Sequence, residues 1–94
     1  MSCVYIISEG KRGPVKVGVA NNPNVRIREL QSGNPKRLSL ANWWKMPDRA
    51  TAFAVEKEIL YDMSPYRLIG EWIDADEFGI CGLVEARIEE RFGL

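Results

Sequence analysis

Glu56 lies in Ala52-Phe53-Ala54-Val55-Glu56-Lys57-Glu58-Ile59-Leu60, a stretch that reads as helix. Three and four positions either side of it stand Ala52, Phe53, Ile59 and Leu60, all apolar. A helix here would project Glu56 from a face that should be buried. A carboxylate so placed needs an ionic partner, a metal ion or a chemical task. Arg49 or a lysine across the core are the candidate partners. The chain has no histidine, which excludes Ser-His and Cys-His nucleophilic systems and His-based zinc sites within it. Proton transfers would have to use Tyr, Lys, Glu, Asp or water. Cys3 and Cys81 are far apart in sequence with no CxxC spacing, and are expected as reduced, partly buried thiols.

The net charge is zero but unevenly spread. Positions 1–49 carry nine basic residues against three acidic ones, and positions 50–94 carry four against ten. A basic half is compatible with a polyanionic partner on one face. It is equally compatible with two halves that attract each other. Ninety-four residues predict one small domain over 1–94, near the lower size for a self-sufficient core. No apolar run approaches the roughly 18–20 residues of a membrane span. The first residues lead straight into a strand with no basic leader, so a cytoplasmic protein without a membrane partner is expected.

The elements that must position Glu56 can be read from local pattern. Val4-Tyr5-Ile6-Ile7 is a β-branched and aromatic run, the first strand. A turn-rich loop over Ser8–Pro14 leads to Val15-Lys16-Val17-Gly18-Val19, which alternates and predicts a hairpin with the valines on one face and Lys16 and Gly18 on the other. Asn22 and Pro23 start a helix to about Gln31, as N-cap and first helical residue. Gly33 suits a left-handed cap at its end. Leu38–Lys45 reads as a third strand. Because Trp43 and Trp44 are adjacent there, one must point outwards, to pack on a neighbour or stack on a base. Pro47-Asp48 opens the long helix, Ser64-Pro65-Tyr66 breaks it, and Trp72-Ile73 is a short extended piece. Asp74 or Asp76 caps a last helix through Val84, Ile88 and Phe92. The expected fold class is α/β (α+β): a small three-stranded antiparallel sheet covered by helices.

Four fragments then line up in order: Val4-Tyr5-Ile6-Ile7; Lys16-Val17-Gly18; Pro23-Asn24-Val25-Arg26 running to Leu30-Gln31-Ser32-Gly33-Asn34-Pro35; and Ala52-Phe53-Ala54-Val55-Glu56 followed later by Gly70-Glu71-Trp72. This set resembles the GIY-YIG nuclease superfamily, most closely its small phage and bacterial T5orf172 or Mug113-like branch, over roughly residues 3–75. The resemblance implies a metal-dependent endonuclease that hydrolyses phosphodiester bonds in DNA with one Mg²⁺ or Mn²⁺. It implies that Tyr5 takes or relays the proton of the attacking water and that Lys16 stands where the second motif usually has tyrosine. It implies that Arg26 contacts the scissile phosphate and that Glu56 is the single metal ligand.

The chemistry is self-consistent. Mg²⁺ keeps several waters, so one carboxylate plus substrate phosphate can hold it. The Arg26 guanidinium supplies a fork matched to phosphate oxygens. With Arg26, the residues Arg28, Lys36 and Arg37 are the candidate contacts to the nucleic-acid backbone. A monomer or weak homodimer is expected. The chain departs from the resemblance at Leu60, where many relatives have histidine, and at Ile73, where an aromatic often follows Glu-Trp. The alternative reading is therefore a catalytically inactive GIY-YIG-like module that binds nucleic acid. A further alternative is a small interaction protein whose acidic C-terminal half docks a basic partner.

Overall fold

The computed structural model describes residues 2–10 and 12–94; Lys11, in the expected turn, and Met1 lie outside them. The elements are β1 (Ser2–Ser8), β2 (Val15–Ala20), α1 (Pro23–Ser32), β3 (Ser39–Met46), α2 (Arg49–Asp62), a 3-10 turn (Ser64–Tyr66), β4 (Trp72–Ile73) and α3 (Glu77–Phe92). The strands form one antiparallel sheet in the order β3-β1-β2-β4. Among the described residues the sheet therefore has four strands, one more than the pattern predicted. The extended Trp72-Ile73 pairs with β2 through Val15↔Ile73 and Lys16↔Trp72. Two residues are too short to show alternation, so sequence pattern does not reveal the pairing.

Strand β1 is central and buried along its whole length, which is why its sequence is apolar on both faces. The register Val4↔Val19, Ile6↔Val17, Ser8↔Val15 puts these valines on one face. There they pack with Ala52, Val55 and Ile59 of α2 and Ile80, Val84 and Ile88 of α3. The other face carries Tyr5 and Ile7, packed with Ile27 and Leu30 of α1 and with Leu38, Leu40 and Trp72. Helices thus cover both faces, α2 and α3 on one and α1 on the other, and β1 runs between the two clusters.

The helix starts follow the cap chemistry. The Asn22 side chain accepts from the Asn24 and Val25 amides. Asp48 accepts from the Thr51 amide at 2.7 Å and Asp76 from the Gly79 amide at 2.6 Å. Gly33 departs from expectation: its φ is −101°, so α1 ends without a left-handed residue. The left-handed cap occurs instead at Gly93 after α3, with φ 65°. No helix among the described residues is long and apolar enough to cross a membrane. Both cysteines are free thiols, Cys3 buried and Cys81 half-buried. Burial, then the charges of Glu77 and Glu85, pushes the Cys81 thiol up to about 11.

Candidate functional site

Cross-strand register sets the site's floor. Tyr5 pairs with Gly18 and Ile7 with Lys16, so Tyr5 and Lys16 share a face of the sheet, diagonal to one another. A Cβ at position 18 would overlap the Tyr5 hydroxyl and the ring carbon bearing it. Glycine there lets the ring lie flat across β2. Tyr5 is only 2% exposed. Arg26 comes in from α1, and the Tyr5 phenol is the first influence raising its already high pKa, followed in favour of the charge by Glu29. Arg26 Nη1 also donates to Glu29 Oε1 at 3.3 Å, the i,i+3 pairing open to any exposed helix arginine.

Lys16 is buried at 9% exposure, and its ammonium donates to Glu71 Oε2 at 2.8 Å. The Lys16 hydrogen bond, then its charge, holds the Glu71 carboxyl below its ordinary value; Arg67 and Arg26 add smaller pulls in the same direction. Glu71, which the sequence offers only within the Gly70-Glu71-Trp72 fragment, is not expected from it as the partner of Lys16. The signal is the one-residue offset from Trp72, which pairs with Lys16, and it appears only once β4 is known.

Glu56 differs from expectation in its setting. The buried stripe of α2 is Ala52, Val55 and Ile59, and Phe53 is 43% exposed. Glu56 therefore stands about 100° round the helix from Val55, at the border of the core and half-buried. Its expected partner Arg49 instead lies over the Phe53 ring, 5.1 Å from the centroid. No ion pair to Glu56 forms among the described residues. Desolvation, then the Glu71 charge, raises its carboxyl above the ordinary value, with Lys16 opposing. Glu56, Glu71 and Lys16 thus form one electrostatic group, with Arg26 coupled to it through Glu71.

The remaining predicted residues are dispersed. Arg28 is exposed on α1 and Arg37 is exposed in the loop after it. Lys36 pairs with Glu9 at 3.6 Å. None of the three forms an ion pair with Glu56 or Glu71 among the described residues. Of the adjacent tryptophans, Trp44 packs against the α2–α3 core while Trp43 opposes Tyr5 and is exposed.

A model of the T5orf172 domain family matches residues 2–91. The chain belongs to the T5orf172 domain family. This T5orf172 domain is of a kind associated with nuclease-type proteins and consistent with a nuclease-like or DNA-binding module. Neither a search of curated proteins nor one of solved structures returned a match. Among the described residues of the T5orf172 domain no group of three or more His, Cys, Asp or Glu is placed to hold a metal. A single carboxylate such as Glu56 can serve only a cation that keeps most of its waters.

The raised Glu56 carboxyl has a thermodynamic consequence. The folded chain binds that proton more tightly than the unfolded chain, so ionising Glu56 costs stability. Its contribution is complete below the ordinary carboxylate pKa of about 4.3 and is lost as pH rises through the higher folded value. Glu71 behaves oppositely: its contribution holds above the ordinary pKa and fades as pH falls through the lowered one. Glu56→Gln should thus raise the metal-free melting temperature at pH 7–8. The gain should shrink as pH falls to about 4, where protonation makes Glu56 increasingly like the glutamine. Thermal melts at the two pH values check this; a mutant that melts lower at pH 7–8 would contradict the sign.

Proposed function

We propose that this T5orf172 domain is a GIY-YIG-type endonuclease that hydrolyses phosphodiester bonds in DNA with one Mg²⁺ or Mn²⁺. The observation that carries the reading is Glu56: a half-buried carboxylate at the border of the core, without an ion-pair partner among the described residues and next to the Lys16–Glu71 pair. A carboxylate half-buried without an ionic partner is more in keeping with a task than with packing.

Glu56 would hold the ion. When bound, the ion supplies charge neutralisation on the non-bridging oxygens and help for the leaving oxygen. Arg26 donates its fork to the phosphate, exchanging the weak Glu29 contact for a charge-assisted one. Tyr5 Oη is the base or relay for the proton of the attacking water. Its burial favours relay, in which the phenol passes its own proton to one site water as it accepts a proton from another. Lys16 assists by placing positive charge on the same face. Arg28, Lys36 and Arg37 hold the backbone beyond the scissile bond.

Plasmid nicking in Mg²⁺ tests the assignment of Arg26. Arg26→Ala should lower the rate by about 10²–10³-fold, the usual cost of removing one preorganised donor. Arg26→Lys should recover only part of it, because the bidentate fork is gone. Wild-type nicking by Arg26→Ala would remove the phosphate clamp from the account.

A second reading is favoured by two observations: Tyr5 is closed off from solvent, and Lys16 is already neutralised by Glu71. In that reading the domain binds nucleic acid without cutting it. It then shows salt-dependent binding and no product with any metal.

A further inference from the structure

Helix α2 carries a second pattern on its outer side. Arg49, Phe53, Lys57 and Tyr61 recur every four residues and are all exposed, so they form one stripe along the helix. Cation and aromatic alternate along it. The stripe borders Glu56: an open groove of about 520 Å³ is lined by Phe53, Glu56, Lys57 and Tyr61 on one side and by Arg67, after the 3-10 turn, on the other.

Three features separate this stripe from an ordinary solvated face. The acids flanking the stripe, in a groove that Lys57 and Tyr61 also line, are engaged by α3: Glu58 by Arg91 at 3.3 Å and Asp62 by Arg87 at 2.7 Å. Arg49, Lys57 and Arg67 form no ion pair among the described residues. Both rings are exposed, Tyr61 at 80% and Phe53 at 43%, with the Arg49 guanidinium over the Phe53 ring.

The geometry points to a binding track for a single-stranded segment of nucleic acid, running along α2 and past Glu56. Bases stack on Tyr61 and Phe53, and backbone phosphates sit on Lys57, Arg49 and Arg67. Aromatic platforms interleaved with cations are the chemistry that holds unpaired strands without reading their sequence. The stripe from residue 49 to 61 covers a little over three helical turns and spans about 18 Å. That length takes about five nucleotides at the roughly 3.4 Å per nucleotide of a stacked strand. The inference deepens the reading above and rests on its premise that the domain handles nucleic acid. It adds the strand state and the route by which a strand reaches Glu56.

The test is equilibrium binding of a fluorescent single-stranded oligonucleotide and of its duplex to the full chain in EDTA, where nothing is cut. Wild type is compared with Tyr61→Ala, Lys57→Ala and Arg26→Ala, each checked for folding by its thermal melt. Tyr61→Ala should weaken single-strand binding by about five- to hundredfold and duplex binding far less. Lys57→Ala should reduce the slope of log affinity against log salt by about 0.7. If Tyr61→Ala and Lys57→Ala bind like wild type while Arg26→Ala is weakened, the track is overturned and the nucleic-acid reading stands. If wild type binds neither strand nor duplex, the track is overturned, and absence of metal-dependent nicking in the same sample then removes the nucleic-acid reading as well.

Discussion

Gly18→Ala should destabilise the domain by about 1–3 kcal/mol, the usual cost of forcing a methyl into a filled site. The methyl would occupy space held by the Tyr5 hydroxyl and ring. The ring has little room to yield, because Tyr5 is buried in the cluster under α1. Displacing it would also shift the phenol relative to the neighbouring Arg26. A misplacement of about 1 Å in such a set costs on the order of 10²-fold in rate, so nicking should fall with stability. The mechanism is separable from a generic strand defect. In a Tyr5→Leu background the methyl meets no phenol, and Gly18→Ala should then cost less than half as much. Denaturant melts of the four proteins in that cycle measure the coupling directly. Equal penalties in both backgrounds would show that Tyr5 is not what Gly18 accommodates.

Glu56→Ala should lower metal-dependent nicking by about 10³-fold or more. A metal's stabilisation of transition-state charge is worth several kcal/mol, and each 1.36 kcal/mol is about tenfold in rate. The contrast with structure is what makes the prediction specific. An acid retained for a buried ion pair costs about 3–5 kcal/mol when its partner is left alone. Glu56 has no such partner among the described residues, and its ionised form is already opposed by desolvation and by Glu71. The substitution should therefore leave stability at neutral pH unchanged or improved while removing activity. Loss of both together would make Glu56 a structural acid.

Much of the fold is legible in short-range chemistry. The alternation of Val15, Val17 and Val19 predicts the hairpin and its faces, and the register bears this out. Asn22, Asp48 and one of Asp74 or Asp76 mark helix starts because each offers an oxygen to amides that the helix leaves unpaired, and the structure selects Asp76. What escapes are features that depend on long-range pairing. Trp72-Ile73 becomes a fourth strand only because β2 presents an open edge to it. Gly33 has the right residue type for a left-handed cap, but α1 closes with the Gly33 amide donating to the Gln31 carbonyl at negative φ. Glu56 is flanked by apolar residues in sequence, yet the buried stripe passes one residue to its side, through Val55. Counting i±3 and i±4 neighbours locates a face only to within a quarter turn. The link between Lys16 and Glu71 spans 55 positions and leaves no local trace. The stripe Arg49-Phe53-Lys57-Tyr61 is present in the sequence, but it gains meaning when Glu58 and Asp62 are seen to be engaged by α3.

The most direct test of the central claim is nicking of supercoiled plasmid by the purified chain in Mg²⁺, in Mn²⁺ and in EDTA, with Glu56→Gln alongside. The account predicts nicked circles in both metals with wild type, none in EDTA, and none with a folded Glu56→Gln in either metal. Equal nicking by Glu56→Gln, or no nicking by wild type in any metal from a sample that still retards DNA on a gel, would contradict it.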